Sequence, residues 1–102
     1  MGNLLEYDTF AKHLNTKFII SIGESDTIET ELVEVGERQL TSHQDRFAII
    51  FKAPSTPALN QGTYSFTHES MGNFDLFIVP IAYDSNSVRY EAVFNRLIKP
   101  TS

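Results

Sequence analysis

Three histidines, His13, His43 and His68, are the side chains in this sequence best suited to move a proton near neutral pH. His13 follows Phe10 by three residues and adjoins Leu14, which places it beside the apolar face of a short helix, in a capping or core-edge role. His43 falls in the polar run Thr41-Ser42-His43-Gln44-Asp45, where solvent exposure is expected. His68 shares a strand face with Tyr64 and Phe66, so its ring is expected to be buried, and a buried imidazole needs a hydrogen-bond partner. The first reading is a structural bond tying the adjacent turn. The chemical alternative is a small-ligand site or minor enzyme in which His68 works with Glu91 or Asn95 in a barrel mouth.

The other chemical feature is the stretch from Glu24 to Glu37, which holds Glu24, Asp26, Glu29, Glu31, Glu34 and Glu37 and no basic residue. Glu29, Glu31 and Glu34 form a candidate acidic face for a basic partner segment or for divalent cations. A solvated strand protected by like charge from edge-to-edge pairing is the simpler account. Calcium fits poorly, because the stretch lacks the turn and ligand spacing of a calcium loop, and Asp84-Ser85-Asn86-Ser87 matches only its opening positions. No metal site and no cofactor are expected.

Catalytic signatures are missing throughout. The chain carries no Gly-x-Ser-x-Gly elbow, no His-Glu-x-x-His, no Gly-x-x-x-x-Gly-Lys and no Gly-x-Gly-x-x-Gly, and its five glycines are scattered singly. The absence of Cys removes disulfides, thiolate metal sites and cysteine nucleophiles together. A non-enzymatic role is therefore expected. The net charge of −5 argues against nucleic acid and anionic membranes as partners. That charge belongs to one predicted hairpin: without its six acids, the remaining seven nearly balance eight Lys and Arg. A protein partner or self-association is the expected kind of contact.

Positioning these residues takes one domain of 102 residues, with 12% aromatic content that favours a packed core over disorder. Tyr7, Phe10 and Leu14 at i, i+3 and i+7 predict a helix over about 7–15, closed by Asn15. Period-two alternation then predicts strands at about 17–22, 27–35, 46–52, 63–68, 73–80 and 88–96, with a tail at 98–102. Within the second strand the apolar set shifts by one at Leu32-Val33, the mark of a bulge. Pro80 suits a sheet edge or strand terminus. The spacing reads as an antiparallel meander. The expected fold is mainly β (α+β): a short N-terminal helix and about six antiparallel strands in a small barrel or sandwich, the barrel preferred, with the helix over one open end. No membrane-spanning run or signal-peptide pattern is present, so the chain reads as cytoplasmic.

Several motifs resemble a small bacterial single-domain family of unknown function. They are Phe10-x-x-His13-Leu14, Gln61-Gly62-x-Tyr64, His68-x-x-x-Gly72, Phe77-x-Val79-Pro80 and Tyr90-Glu91-Ala92-x-Phe94-Asn95. The resemblance implies a fold unit without an assigned activity. It also implies a setting in a larger assembly, since some relatives are encoded beside phage-tail-like proteins, which would place the protein in a phage-like particle. The sequence departs from the family pattern at Asn15, where a glycine is usual, and at Glu6, where a threonine cap is common.

Overall fold

The computed structural model describes residues 6–97; the expected tail at 98–102 lies outside them. One helix, α1 (Tyr7–Lys12), precedes seven strands: β1 (Lys17–Ser21), β2 (Thr27–Val35), β3 (Gln39–Leu40), β4 (Gln44–Pro54), β5 (Gly62–His68), β6 (Gly72–Tyr83) and β7 (Ser87–Leu97). The helix is shorter than its periodicity suggested, because His13 already leaves helical geometry and serves as the C-cap. Asn15 then takes a left-handed backbone with φ of 68°. Glycine enters that conformation at no steric cost and Asn better than other non-glycine residues, which is why Asn serves at this turn. Glu6 is the N-cap residue but makes no side-chain capping bond.

Six strands close into an antiparallel barrel in the order β1, β2, β4, β7, β6, β5 and back to β1. β3 is a short addition within the polar connection, paired to Arg46 and Asp45 on the flank of β4. The meander expected from the spacing is thus corrected. β4 pairs along its whole length with β7, from Gln44↔Leu97 to Pro54↔Ser87, while β5 lies between β1 and β6. The reason is the connection from Ser55 to Gln61, which is too long for a hairpin turn and carries β5 to the far side of the barrel. On the way it buries Leu59, which is 8% exposed.

The bulge read from the sequence is present, as a register shift in β2 between Leu32 and Glu34 opposite β4. A second shift falls in β6 between Pro80 and Ala82. β6 exchanges neighbours there: β5 pairs with it up to Ile78, and β7 pairs with it from Val79 to Tyr83. Pro80 therefore sits where β6 has a ladder on one side only, a position that tolerates its missing donor. The strand continues past it to Tyr83, further than its proline suggested, because β7 still holds the other side.

Alternation sends Phe18, Ile20, Leu32, Ile49, Phe51, Phe66, Ile78, Val88 and Tyr90 inward, where they are essentially inaccessible. Helix α1 stops the barrel end formed by the start of β1, β4 and β6 and the end of β7. Its Phe10 ring lies 6.5 Å from Phe18, 6.4 Å from Phe47, 6.0 Å from Phe74 and 5.3 Å from Phe94, one ring from each of those four strands. Among the described residues no helix is long and apolar enough to cross a membrane.

Candidate functional site

His68, the last residue of β5, faces inward at the helix-stopped end and is buried. Its Nδ1 accepts hydrogen bonds from the backbone N–H of Ser70 at 2.9 Å and of Met71 at 3.3 Å. A nitrogen that accepts carries no proton, so the ring hydrogen sits on Nε2 and donates to Thr16 Oγ1 at 3.0 Å. The Thr16 hydroxyl donates in turn to the His13 carbonyl at 2.6 Å. The His13 ring lies 4.5 Å from that of His68, and Phe18 covers the imidazole at 4.4 Å. Burial pushes the His68 pKa down, the neighbouring His13 adds to this, and Glu69 opposes it. The turn-tying role expected for His68 is what the geometry displays, and His13 takes the expected helix-end position. His43 is exposed, its Nδ1 3.0 Å from the Ser42 hydroxyl.

The trio His68, Glu91 and Asn95 is not brought together. On β7 it is Val88, Tyr90 and Ala92 that point into the core, so Glu91 and Asn95 stand on the outer face, with Glu91 in register with Val79 and Ile50, and Asn95 with Arg46. His68 points the other way. The signal was in the sequence, since a period of two along Val88 to Asn95 already puts Glu91 and Asn95 on the face opposite Tyr90. The barrel that would have held a ligand between them is filled with side chains, as expected where six strands rather than eight enclose the space.

Glu29, Glu31 and Glu34 all project outward and exposed from β2. They do not make an unbroken acidic face. Lys17 of β1 stands opposite Glu31 and reaches Glu29 at 3.8 Å, while Lys52 of β4 flanks Glu31 on the other side. These residues line an open surface groove of about 480 Å³ that runs on to Asn86. Thr30, buried between the two glutamates, donates its hydroxyl to the Lys52 carbonyl at 2.8 Å, at the end of the β2–β4 ladder. The lysines lie far from the acids in sequence, and only strand pairing interleaves them.

Two further polar arrangements fasten the barrel, of which the first escaped sequence reasoning and the second lies in the expected turn at Asp84-Ser85-Asn86-Ser87. Asp45, buried at the start of β4, accepts a two-pronged bond from Arg38, Nε to Oδ1 at 2.9 Å and Nη2 to Oδ2 at 2.8 Å, with Arg96 of β7 at 3.7 Å. The Arg38 hydrogen bonds hold the Asp45 carboxyl below the usual carboxylate range. The same guanidinium lies 5.8 Å from the centre of the Tyr7 ring, so this group fastens α1 to the sheet. At the β6–β7 turn Asp84 Oδ1 accepts from the backbone N–H of Asn86 at 2.8 Å and of Ser87 at 2.7 Å, which lowers its pKa and accounts for the motif as a turn. Among the described residues no three His, Cys, Asp or Glu side chains converge as metal ligands, and every buried side-chain polar atom has a partner.

What remains unsatisfied is apolar. Phe77 is 53%, Ile81 46% and Tyr83 66% exposed on β6, and Val93 is 51% exposed on β7. Phe77 lies two residues along β6 from Val79, and Val93 two residues along β7 from Glu91, the register partner of Val79.

No curated protein and no solved structure matches the chain. A family model described as a domain of unknown function, DUF6916, matches residues 5–94, nearly the whole length, and the chain belongs to that family.

Proposed function

We propose that the chain is a non-enzymatic protein-interaction or structural module that docks through the exposed apolar side chains of its β6–β7 hairpin. The observation that carries this reading is the exposure of Phe77, Ile81, Tyr83 and Val93 on two paired strands while the interior is filled. Exposed large apolar side chains are a mark of contact sites where they recur on neighbouring strands, as these do on β6 and β7. Pro80 and the adjoining bulge blunt the free edge of β6 against strand addition, which favours contact through side chains over added backbone pairing. The setting implied by the family resemblance, a larger phage-tail-like assembly formed in the cytoplasm, suits a module of this kind. A second reading places the contact on Glu29, Glu31 and Glu34, and is favoured by their common outward exposure on β2.

The test compares two variant sets in affinity capture from the cells that make the protein, with native mass measured on the eluate. Ile81→Ser with Val93→Ser is expected to lose the captured partner or the self-associated mass. Melting should remain near wild type, because surface substitutions cost within about 0.5 kcal/mol each. Loss instead on changing Glu29, Glu31 and Glu34 to Lys transfers the site to the acidic strand. Capture and mass unchanged in both sets overturn the interaction reading.

A further inference from the structure

We propose that His68, Thr16 and His13 form an acid-released clasp that holds helix α1 in the mouth of the barrel. The clasp joins two segments distant in sequence: the turn after β5, through the Ser70 and Met71 amides, and the chain leaving α1, through Thr16 and the His13 carbonyl. The two amide bonds require the neutral ring with its hydrogen on Nε2, and the Thr16 link follows from that same tautomer. Nδ1 must accept, Nε2 must donate, and the Thr16 hydroxyl must pass its own hydrogen to the helix end.

Protonation of His68 adds a hydrogen at Nδ1, where two backbone N–H groups already point. Three donors then face one another, the amide bonds break, and a cation is left beneath Phe18. The titratable groups facing the ring are His13 from the end of α1, which disfavours added positive charge, and Glu69 from the β5–β6 turn, which favours it; β1 and its approach contribute the uncharged Phe18 and Thr16. Glu69 is exposed and cannot replace the two amide bonds. Relief comes from moving the imidazolium into water, which separates Thr16 and the helix end from the β5–β6 turn. The chain leaving α1 keeps two backbone bonds to β2, Asn15 N–H to the Leu32 carbonyl at 2.7 Å and Leu32 N–H to the Thr16 carbonyl at 3.1 Å, so the part released is α1 itself, whose hold then rests on Phe10, Tyr7 and the Arg38–Tyr7 contact.

The direction follows from linkage. In the open form His68 titrates near its ordinary value of 6.5, and in the closed form lower, so the closed form is fully favoured above pH 6.5 and loses its advantage as pH falls from there through the closed-form value. Hydrogen exchange of wild-type protein, read as protection factors for the Thr9, Phe10 and His13 amides, tests this against amides of β4 and β7. Protection of the α1 amides is expected to fall by about tenfold per pH unit below 6.5 while the strand amides hold. Nitrogen-15 spectra of the ring at neutral pH are expected to show the Nε2–H tautomer. His68→Asn, whose Oδ1 can accept from the turn amides without titrating, is expected to remove the pH dependence. An Nδ1–H ring at neutral pH overturns the clasp, as does α1 protection that follows the strands throughout the titration. Because both readouts are taken on the wild-type chain, the result does not depend on the variant folding.

Discussion

The two ends of the barrel are closed by different kinds of segment, and the contrast separates what holds the fold from what can move. At one end α1 inserts Phe10 among four aromatic rings, with polar fastening from His68, Thr16 and the Arg38–Asp45 pair. At the other, the Ser55–Gln61 connection crosses the mouth and buries Leu59, whose backbone N–H donates to the Tyr90 hydroxyl at 2.8 Å. The first stopper leads into β1 and depends on a titratable ring. The second is tethered at both ends by strands and depends on a phenol. Burial raises the pKa of Tyr90 further, so that stopper does not respond to pH in the neutral range.

The largest effect expected from this comparison is at the helix-stopped end. Phe10→Ala should cost about 3–5 kcal/mol, since it empties a site surrounded by rings. Leu59→Ala should cost less, about 2–3 kcal/mol, because a loop can settle into the space it leaves. Denaturant unfolding of the pair decides it: equal losses would mean that the ends are closed equally well. Next in size is Tyr90→Phe, which removes the acceptor for the Leu59 amide and leaves a buried donor unpaired. A loss of about 1–3 kcal/mol is expected, with a rise in exchange of the Leu59 amide alone. If α1 amides lose protection equally, the two stoppers are coupled across the core. The smallest effect concerns the turn after α1. Asn15→Gly should change stability by no more than a few tenths of a kcal/mol, whereas Asn15→Ala should cost about 1 kcal/mol, because only the alanine is strained at positive φ.

Much of this architecture was legible residue by residue. The inward set of each strand followed from period two, the bulge at Leu32 from a one-residue shift, and the structural role of His68 from its place beside Phe66. Strand neighbours were legible in part: β1–β2, β2–β4, β5–β6 and β6–β7 pair as a meander would, and only the step from β4 to β5 does not. Local alternation says which face of a strand is apolar but not which strand lies beside it, so the spacing suggested a meander where β4 in fact pairs with β7. The available clue was the length of the Ser55–Gln61 connection. The candidate site shows the same division. The grouping of His68 with Glu91 and Asn95 ignored the opposite facing of β7's two residue sets, and the acidic strand looked unbroken because Lys17 and Lys52 reach it only through pairing.

By itself the sequence determined a short helix, six alternating strands, a core of Phe, Ile and Tyr, and a net charge concentrated in one hairpin. These are properties of neighbours along the chain, where backbone sterics and side-chain period act over a few residues. The tertiary structure alone decided the step from β4 to β7, the placing of Lys17 and Lys52 beside Glu31, the Arg38–Asp45 fastening and the meeting of His13 with His68. Each of those joins segments well separated along the chain or held by a turn whose shape the sequence left open. Closing the barrel is what brings them within reach, because a sheet with its edges paired leaves its polar groups one set of partners and its core side chains one set of neighbours.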